Sequence, residues 1–130
     1  MAVVVLDASV VIAFLNPADA HHSRARAALA AHQSEELVLP SSVFAEVLVG
    51  PYRHGSAAVG TVEQFVAELA IRIQPITADI ARRAALLRSR HAALKLPDAF
   101  VLATGDVLDA STVLTADQEW PKLSARARAI

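Results

Sequence analysis

Cysteine is absent from the sequence, and glycine occurs only four times. Without cysteine the chain contains neither disulfides nor thiolate metal sites, which fits a reducing cytoplasm. No glycine-rich loop of the kind that cradles nucleotide phosphates is visible, so coupling to nucleotide hydrolysis is not indicated. The strand-to-helix elbow of serine hydrolases is also missing.

Neither sign of charge is in excess, because 12 basic and 13 acidic residues leave a net charge of −1. Bulk attraction to nucleic acid or to an acidic membrane is therefore not indicated, and a polyanion must be held by local features. The chain also lacks a run of about eighteen apolar residues, the length needed to span a membrane. Its apolar start has no basic leading segment and contains Asp7, which favours a buried strand over a signal peptide. We therefore expect a cytoplasmic protein with no membrane segment.

Apolar segments alternate along the chain with the spacing of strands and helices. A length of 130 residues suits one α/β domain over residues 1–130, and a hydrophobic content of 55% indicates that a partner covers some apolar surface. The pattern predicts strands at residues 2–6, 37–39, 72–76 and 112–114, with an edge strand at 125–130. Helices between them predict a central parallel sheet of four to five strands with helices on both faces. Gly50-Pro51 is expected to bend or end the third helix.

Four carboxylates each lie where an apolar strand is predicted to give way to a helix, and such a sheet brings these positions to one edge. Asp7 closes the first strand, Glu46 lies one helical turn beyond the second strand, Asp98 opens a helix behind Pro97, and Asp117 follows the strand at 112–114. Ligands in open parallel sheets bind beyond the carboxyl ends of the strands. We therefore expect all four acids in one cleft.

Each acid by itself has an ordinary structural interpretation as a helix cap, a dipole partner or a solvated charge. Their coincidence favours function. Two carboxylates about 4 Å apart repel by about 4 kcal/mol at an effective dielectric near 20, and a divalent cation relieves that repulsion. All-oxygen ligands favour Mg²⁺, with Mn²⁺ as a substitute, and phosphodiester hydrolysis is the natural chemistry of such a site.

Two hydroxyl groups are candidates for supporting this acidic cluster. Ser9, two residues after Asp7, is placed to hydrogen-bond Asp7 or a water, and Thr115 is placed to orient Asp117. Simple helix capping and packing at the strand end explain both residues equally well.

Four segments resemble, in order and spacing, the PIN-domain ribonucleases, and in particular the VapC-type toxins of bacterial and archaeal toxin-antitoxin pairs. The segments are Val5-Leu6-Asp7-Ala8-Ser9, Ser42-Val43-Phe44-Ala45-Glu46-Val47-Leu48, Leu96-Pro97-Asp98-Ala99-Phe100 and Leu114-Thr115-Ala116-Asp117. The resemblance spans the whole chain. One departure is Thr104-Gly105-Asp106, where small apolar residues are usual in this family.

This resemblance implies a Mg²⁺-dependent endoribonuclease that hydrolyses RNA phosphodiester bonds. Asp7 and Asp98 would be the principal metal ligands, and Glu46 and Asp117 would complete the cluster directly or through water. The partners it implies are a VapB-like cognate antitoxin that inserts a segment into the cleft, the RNA substrate, and a second copy of the chain in a homodimer or a heteromer with antitoxin.

Three other classes remain as alternatives. A phosphatase of the haloacid-dehalogenase type also begins with Asp after an apolar strand, but it requires a second Asp where this chain has Ser9. A response-regulator-like receiver requires paired acids after its first strand and a lysine after its last, and residues 7–9 and 112–117 supply neither. A catalytically inactive PIN fold that only binds a partner is the main rival to the nuclease.

Basic and aromatic residues give weaker indications. The basic residues of the helix after Thr77 and of the following loop are candidates for guiding RNA phosphates, although a solvated helix face explains most of them. They are Arg82, Arg83, Arg88, Arg90 and Lys95. Trp120 and Tyr52 are more readily explained by packing than by base stacking.

Overall fold

The computed structural model describes all 130 residues, Met1–Ile130, and contains a sheet of five parallel strands in the order β3-β2-β1-β4-β5. The strands are β1 (Val3–Leu6), β2 (Glu36–Pro40), β3 (Arg72–Gln74), β4 (Thr112–Thr115) and β5 (Ala127–Ala129). The helices are α1 (Ala8–Leu15), α2 (His22–Ala31), α3 (Ser41–His54), α4 (Ser56–Glu68), α5 (Ala78–Arg90) and α6 (Leu96–Val107), followed by a 3₁₀ turn at Trp120–Lys122. The predicted parallel sheet and its C-terminal edge strand are confirmed. None of the helices is long and apolar enough to cross a membrane.

The strand order reverses direction at the middle of the sheet. The chain runs outward from β1 through β2 to β3, and then crosses to β4 on the other side of β1. Because parallel crossovers are right-handed, this reversal places α1 to α4 on one face and α5 and α6 on the other. A crevice opens where the direction reverses, beyond the carboxyl ends of β1 and β4, and this is the usual ligand position in open α/β sheets.

The core forms around β1, β2 and β4, whose apolar residues are buried on both faces of the sheet. Val4, Val5 and Leu6 are fully buried, and helix α6 adds Val101 and Leu102. Full burial of each such side chain contributes about 1.5–3 kcal/mol to folding. These contacts fix the two elements that carry Asp7 and Asp98.

Helix α6 approaches β4 so closely that only glycine fits at position 105. A Cβ atom on Gly105 would lie 2.5 Å from Cγ2 of Val113. On either side, the Thr104 hydroxyl donates a hydrogen bond to the Phe100 carbonyl at 2.7 Å, and Asp106 forms ion pairs. The unusual segment Thr104-Gly105-Asp106 is therefore explained by close packing and by charge pairing.

Those ion pairs form a compact network, the Asp106 cluster, made of Arg83, Asp106, Asp109 and Arg126. Asp106 accepts from Nε of Arg83 at 2.7 Å and pairs with Nε of Arg126 at 3.3 Å. Arg126 also reaches Asp109 at 3.0 Å and the carbonyl of Ala110. The cluster ties α5, α6 and the start of β5 together beside the amino end of β4.

The structure differs from the predicted fold in three details. Of the two outcomes predicted at Gly50-Pro51, a bend or an end, the end is wrong, because α3 continues through Pro51 to His54. Asp98 follows no strand: it lies in the first turn of α6, which begins at Leu96 after the loop from α5. Asp117, similarly, leads into a 3₁₀ turn rather than an α-helix.

Candidate functional site

Asp7 is held in a fixed orientation at the carboxyl end of β1. The residue is only 9% exposed and is the N-cap of α1, with Oδ1 accepting from the Ala8 amide at 2.8 Å. Its Oδ2 accepts from the hydroxyls of Ser9 at 2.7 Å and Thr115 at 2.9 Å. The carboxylate of Asp7 therefore caps helix α1 and is also held in a fixed position within the candidate site.

The same two hydroxyls connect Asp7 to the loop after β4. The Ser9 hydroxyl accepts from the Ala116 amide at 3.0 Å, and the Thr115 hydroxyl accepts from the Asp117 amide at 3.0 Å. Each hydroxyl thus donates its one hydrogen to Asp7 while accepting from the loop. Thr115 therefore contacts the backbone of Asp117, the residue it was predicted to orient, and also the carboxylate of Asp7.

The structure brings Glu46 and Asp98 to the same crevice on α3 and α6. Burial raises the pKa of Glu46, and the negative charges of Asp7 and Asp98 raise it further. Burial also raises the pKa of Asp98, with the charges of Asp7 and Asp117 adding to the increase and Lys95 partly opposing it. The four acids therefore share one electrostatic environment at the carboxyl edge of the sheet.

Burial also raises the pKa of Asp7, and the hydrogen bonds from Ser9, Thr115 and the backbone oppose that increase. No ion pair reaches any of the four acids, although seven ion pairs form elsewhere in the chain. Lys95 relieves only part of the mutual repulsion at this edge, and it does so without forming an ion pair. An external cation would neutralise the remaining repulsion while the acids stay ionised.

The four carboxylates offer the oxygen ligands that Mg²⁺ prefers, but they do not surround a single ion position. No group of three or more His, Asp or Glu side chains is arranged to hold an ion by itself. Mg²⁺ is usually bound through one or two carboxylates and keeps several waters, so an open pair of acids fits its chemistry. Ser42 adds a polar group without a partner near Glu46. Its hydroxyl is buried, forms no hydrogen bond and lies one helical turn before Glu46 on α3.

Sequence reasoning missed Ser42 and a cleft beside the acids. The four-residue spacing of Ser42 and Glu46 on one helix was an available signal. The cleft, lined in part by His91, Trp120 and Lys122, depends on distant segments meeting and had no local signal. Among the basic residues of α5, Arg82 pairs with Asp79 at 3.0 Å, and Arg83 belongs to the Asp106 cluster.

Solved structures with the same fold include several toxin proteins. A toxin-antitoxin complex from Klebsiella pneumoniae superposes with a TM-score of 0.82 at 22% identity, covering 97% of this chain and 96% of that one. The sarcin-ricin loop cleaving toxin VapC20 of Mycobacterium tuberculosis gives 0.76 at 21% identity, with 92% and 93% covered. FitAcB from Neisseria gonorrhoeae gives 0.76 at 22% identity, with 98% and 96% covered. At these identities the similarity establishes the fold.

No curated protein matches the sequence significantly. The sequence does match a family model, that of the PIN domain, and the match covers residues 4–125. It includes all four acids, β1 apart from Val3, and the whole of β2, β3 and β4. Since the match extends over nearly the entire length, the chain belongs to the PIN domain family.

Proposed function

We propose that this protein is a Mg²⁺-dependent endoribonuclease and the toxin of a type II toxin-antitoxin pair. The observation that carries the proposal is the cluster of Asp7, Glu46, Asp98 and Asp117 at the carboxyl edge of the sheet, with no cationic side chain paired to it. Membership of the PIN family supports the same chemistry.

Asp7 and Asp98 are the proposed metal ligands, because the charge of Asp7 acts on Asp98 and both stand on rigidly packed elements. A bound divalent ion supplies positive charge against the scissile phosphate and acidifies a water molecule. Ser9 and Thr115 hold Oδ2 of Asp7 in place, which leaves its orientation little freedom. Mn²⁺ substitutes for Mg²⁺ in this proposal.

Glu46 and Asp117 complete the cluster and position the attacking water. Glu46 stands on the more open side, and its raised pKa brings it closer to the working pH, where a proton acceptor is most effective. Asp117 is fixed at Oδ1 by the Glu119 amide at 2.8 Å, which leaves Oδ2 available for a water. Hydrolysis then needs no covalent intermediate with the protein.

An apolar groove between α1, α3 and α4 supports the toxin assignment. It is lined by Ile12, Val47, Pro51 and Val62, and Ile12 is 46% exposed. Exposed apolar surface of this kind is typical of protein interfaces. We assign it to a VapB-like antitoxin, because a structure of the same fold is described as a toxin-antitoxin complex. We expect the chain to act in the cytoplasm as a homodimer or a heteromer with antitoxin.

The test is cleavage of mixed cellular RNA by purified, partner-free protein with Mg²⁺, Mn²⁺ or EDTA. Discrete products that require metal and disappear in Asp7→Asn and Asp98→Asn are expected. Asp79→Asn is the matched control, since Asp79 is an exposed acid at the start of α5, outside the cluster. Metal-independent cleavage, or full cleavage by Asp98→Asn, would contradict the proposal. Absence of cleavage by wild-type protein with bound metal would favour an inactive binding module.

A further inference from the structure

A cleft of about 450 Å³ adjoins the acidic cluster and shares two of its residues. Asp98 and Asp117 form one side of this cleft, which lies between the end of α5, the α5–α6 loop and the turn after β4. Its volume is within the usual range of small-ligand sites. The cleft is therefore an extension of the reaction site rather than a separate cavity.

The rest of the lining has two chemically different parts. Leu94 and Trp120 are almost fully buried and, with the half-buried Leu123, supply an apolar wall. His91, at the end of α5, and the exposed Lys122 supply nitrogen donors. An apolar wall beside such donors, next to a phosphate-cleaving site, matches the two parts of a nucleotide: its base and its phosphate.

We propose that this cleft receives the nucleotide next to the scissile phosphate, with its base against Leu94 and Leu123 and its phosphate at Lys122. The inference rests on the proposed nuclease function and names a substrate subsite for it. Lys122 pairs with Glu119 at 2.7 Å, but both side chains are largely exposed, and such surface pairs are weak. A phosphate can therefore replace Glu119 as the partner of Lys122.

The distribution of charge in the chain explains why RNA needs a cationic contact beside the acidic cluster. The net charge is −1 and the scissile position is acidic, so RNA must be held by cations outside the acid cluster. Arg83 on α5 is held by the partly buried Asp106, and the exposed Arg82 lies outside the cleft. Lys122 and His91 are cationic or donor groups that line the same cleft as the catalytic acids.

Trp120 gives a direct readout because it is the single tryptophan of the chain and lines the cleft. The experiment titrates a short single-stranded RNA of mixed sequence into wild-type protein in EDTA and follows tryptophan fluorescence. We expect a saturable change, weakened about fivefold or more in Lys122→Gln and in Ala93→Glu, which adds a negative charge to the exposed cleft rim. Lys122→Gln should also reduce the salt dependence of binding by about 0.7 in the log-log slope, the share of one phosphate contact on a single strand.

Arg82→Gln is the matched control, because Arg82 is exposed on α5 and lies outside the cleft. RNA that leaves Trp120 fluorescence unchanged, with Lys122→Gln binding like wild type, would overturn the subsite even if the protein cleaves RNA. Saturable binding with these mutational effects but without cleavage in Mg²⁺ would support the subsite and count against the nuclease function. The two proposals therefore fail separately.

Discussion

Two groups of acidic residues in this molecule are treated in opposite ways. In the Asp106 cluster, Asp106 and Asp109 are paired with Arg83 and Arg126 across three structural elements. At the carboxyl edge of the sheet, Asp7, Glu46, Asp98 and Asp117 are brought together with no ion pair. Each paired acid is compensated by its arginine, whereas acids gathered without partners repel one another and reduce the stability of the fold unless something else binds. The second group is therefore the one that calls for a ligand.

The largest expected effect is on RNA cleavage. Asp98→Asn should reduce the rate by about 100-fold or more, because it removes a charged metal ligand from the reaction centre. Asp106→Asn, the same chemical change in the paired cluster, should keep nearly full activity. Rates with Mg²⁺ on one RNA preparation provide the measurement, and equal losses in the two variants would remove the distinction between the clusters.

A smaller effect is expected on metal affinity when the hydroxyls around Asp7 are removed. Ser9→Ala and Thr115→Val should each weaken Mg²⁺ or Mn²⁺ binding by about 10–100-fold, since the groups that orient a metal ligand have effects of this size. Ser111→Ala is the control, because its hydroxyl donates to the Val3 carbonyl at the other edge of the sheet. If all three variants bind metal alike, the hydroxyls serve only capping and packing.

Stability should change in the opposite direction from activity. Asp106→Ala leaves Arg83 and Arg126 without their shared partner and should destabilise the protein by about 1–2 kcal/mol, allowing for their partial exposure. Asp98→Asn in metal-free protein should be neutral or stabilising by less than about 1 kcal/mol, because it relieves repulsion at a partly exposed site. Urea denaturation in EDTA measures the free energy of unfolding of both variants. A large decrease of this free energy in Asp98→Asn would contradict the account.

The smallest effect concerns pH. The folded-state pKa of Asp98 lies above its ordinary value of 3.8, so the folded protein binds this proton more tightly than the unfolded chain does. The stability of metal-free protein at this site therefore falls as pH rises above that ordinary value. The difference in melting temperature between Asp98→Asn and wild type should grow as the pH is raised towards neutrality, and saturating Mg²⁺ should reverse it. A difference independent of pH would show that charge repulsion is not its cause.

The parts of this picture that follow local rules were predictable from sequence. Continuous apolar runs predicted the buried strands, and alternation with helices predicted the parallel sheet, which placed Asp7 and Asp117 at its carboxyl edge. The position of Asp98 was predicted for the wrong reason. It reaches the site because α6 packs tightly on β4 at Gly105 and not because a strand precedes it.

Long-range contacts set the limit of sequence reasoning here. The hydrogen bond between Ser9 and the Ala116 amide joins residues 107 positions apart, and Thr115 reaches Asp7 over 108 positions. No local periodicity encodes such pairs. The same holds for the cleft that His91 and Lys122 both line. It also holds for the ion pairs that Asp106 forms with Arg83 and Arg126, which are distant from it in the sequence.

The most direct test of the central claim is Mn²⁺ binding to wild type, Asp98→Asn and Asp106→Asn, with free Mn²⁺ followed by its electron paramagnetic resonance signal. The account predicts saturable binding to wild type and Asp106→Asn, and a large loss of binding in Asp98→Asn. Equal binding by all three proteins, or none by wild type, would show that the unpaired acids at the sheet edge are not a metal site.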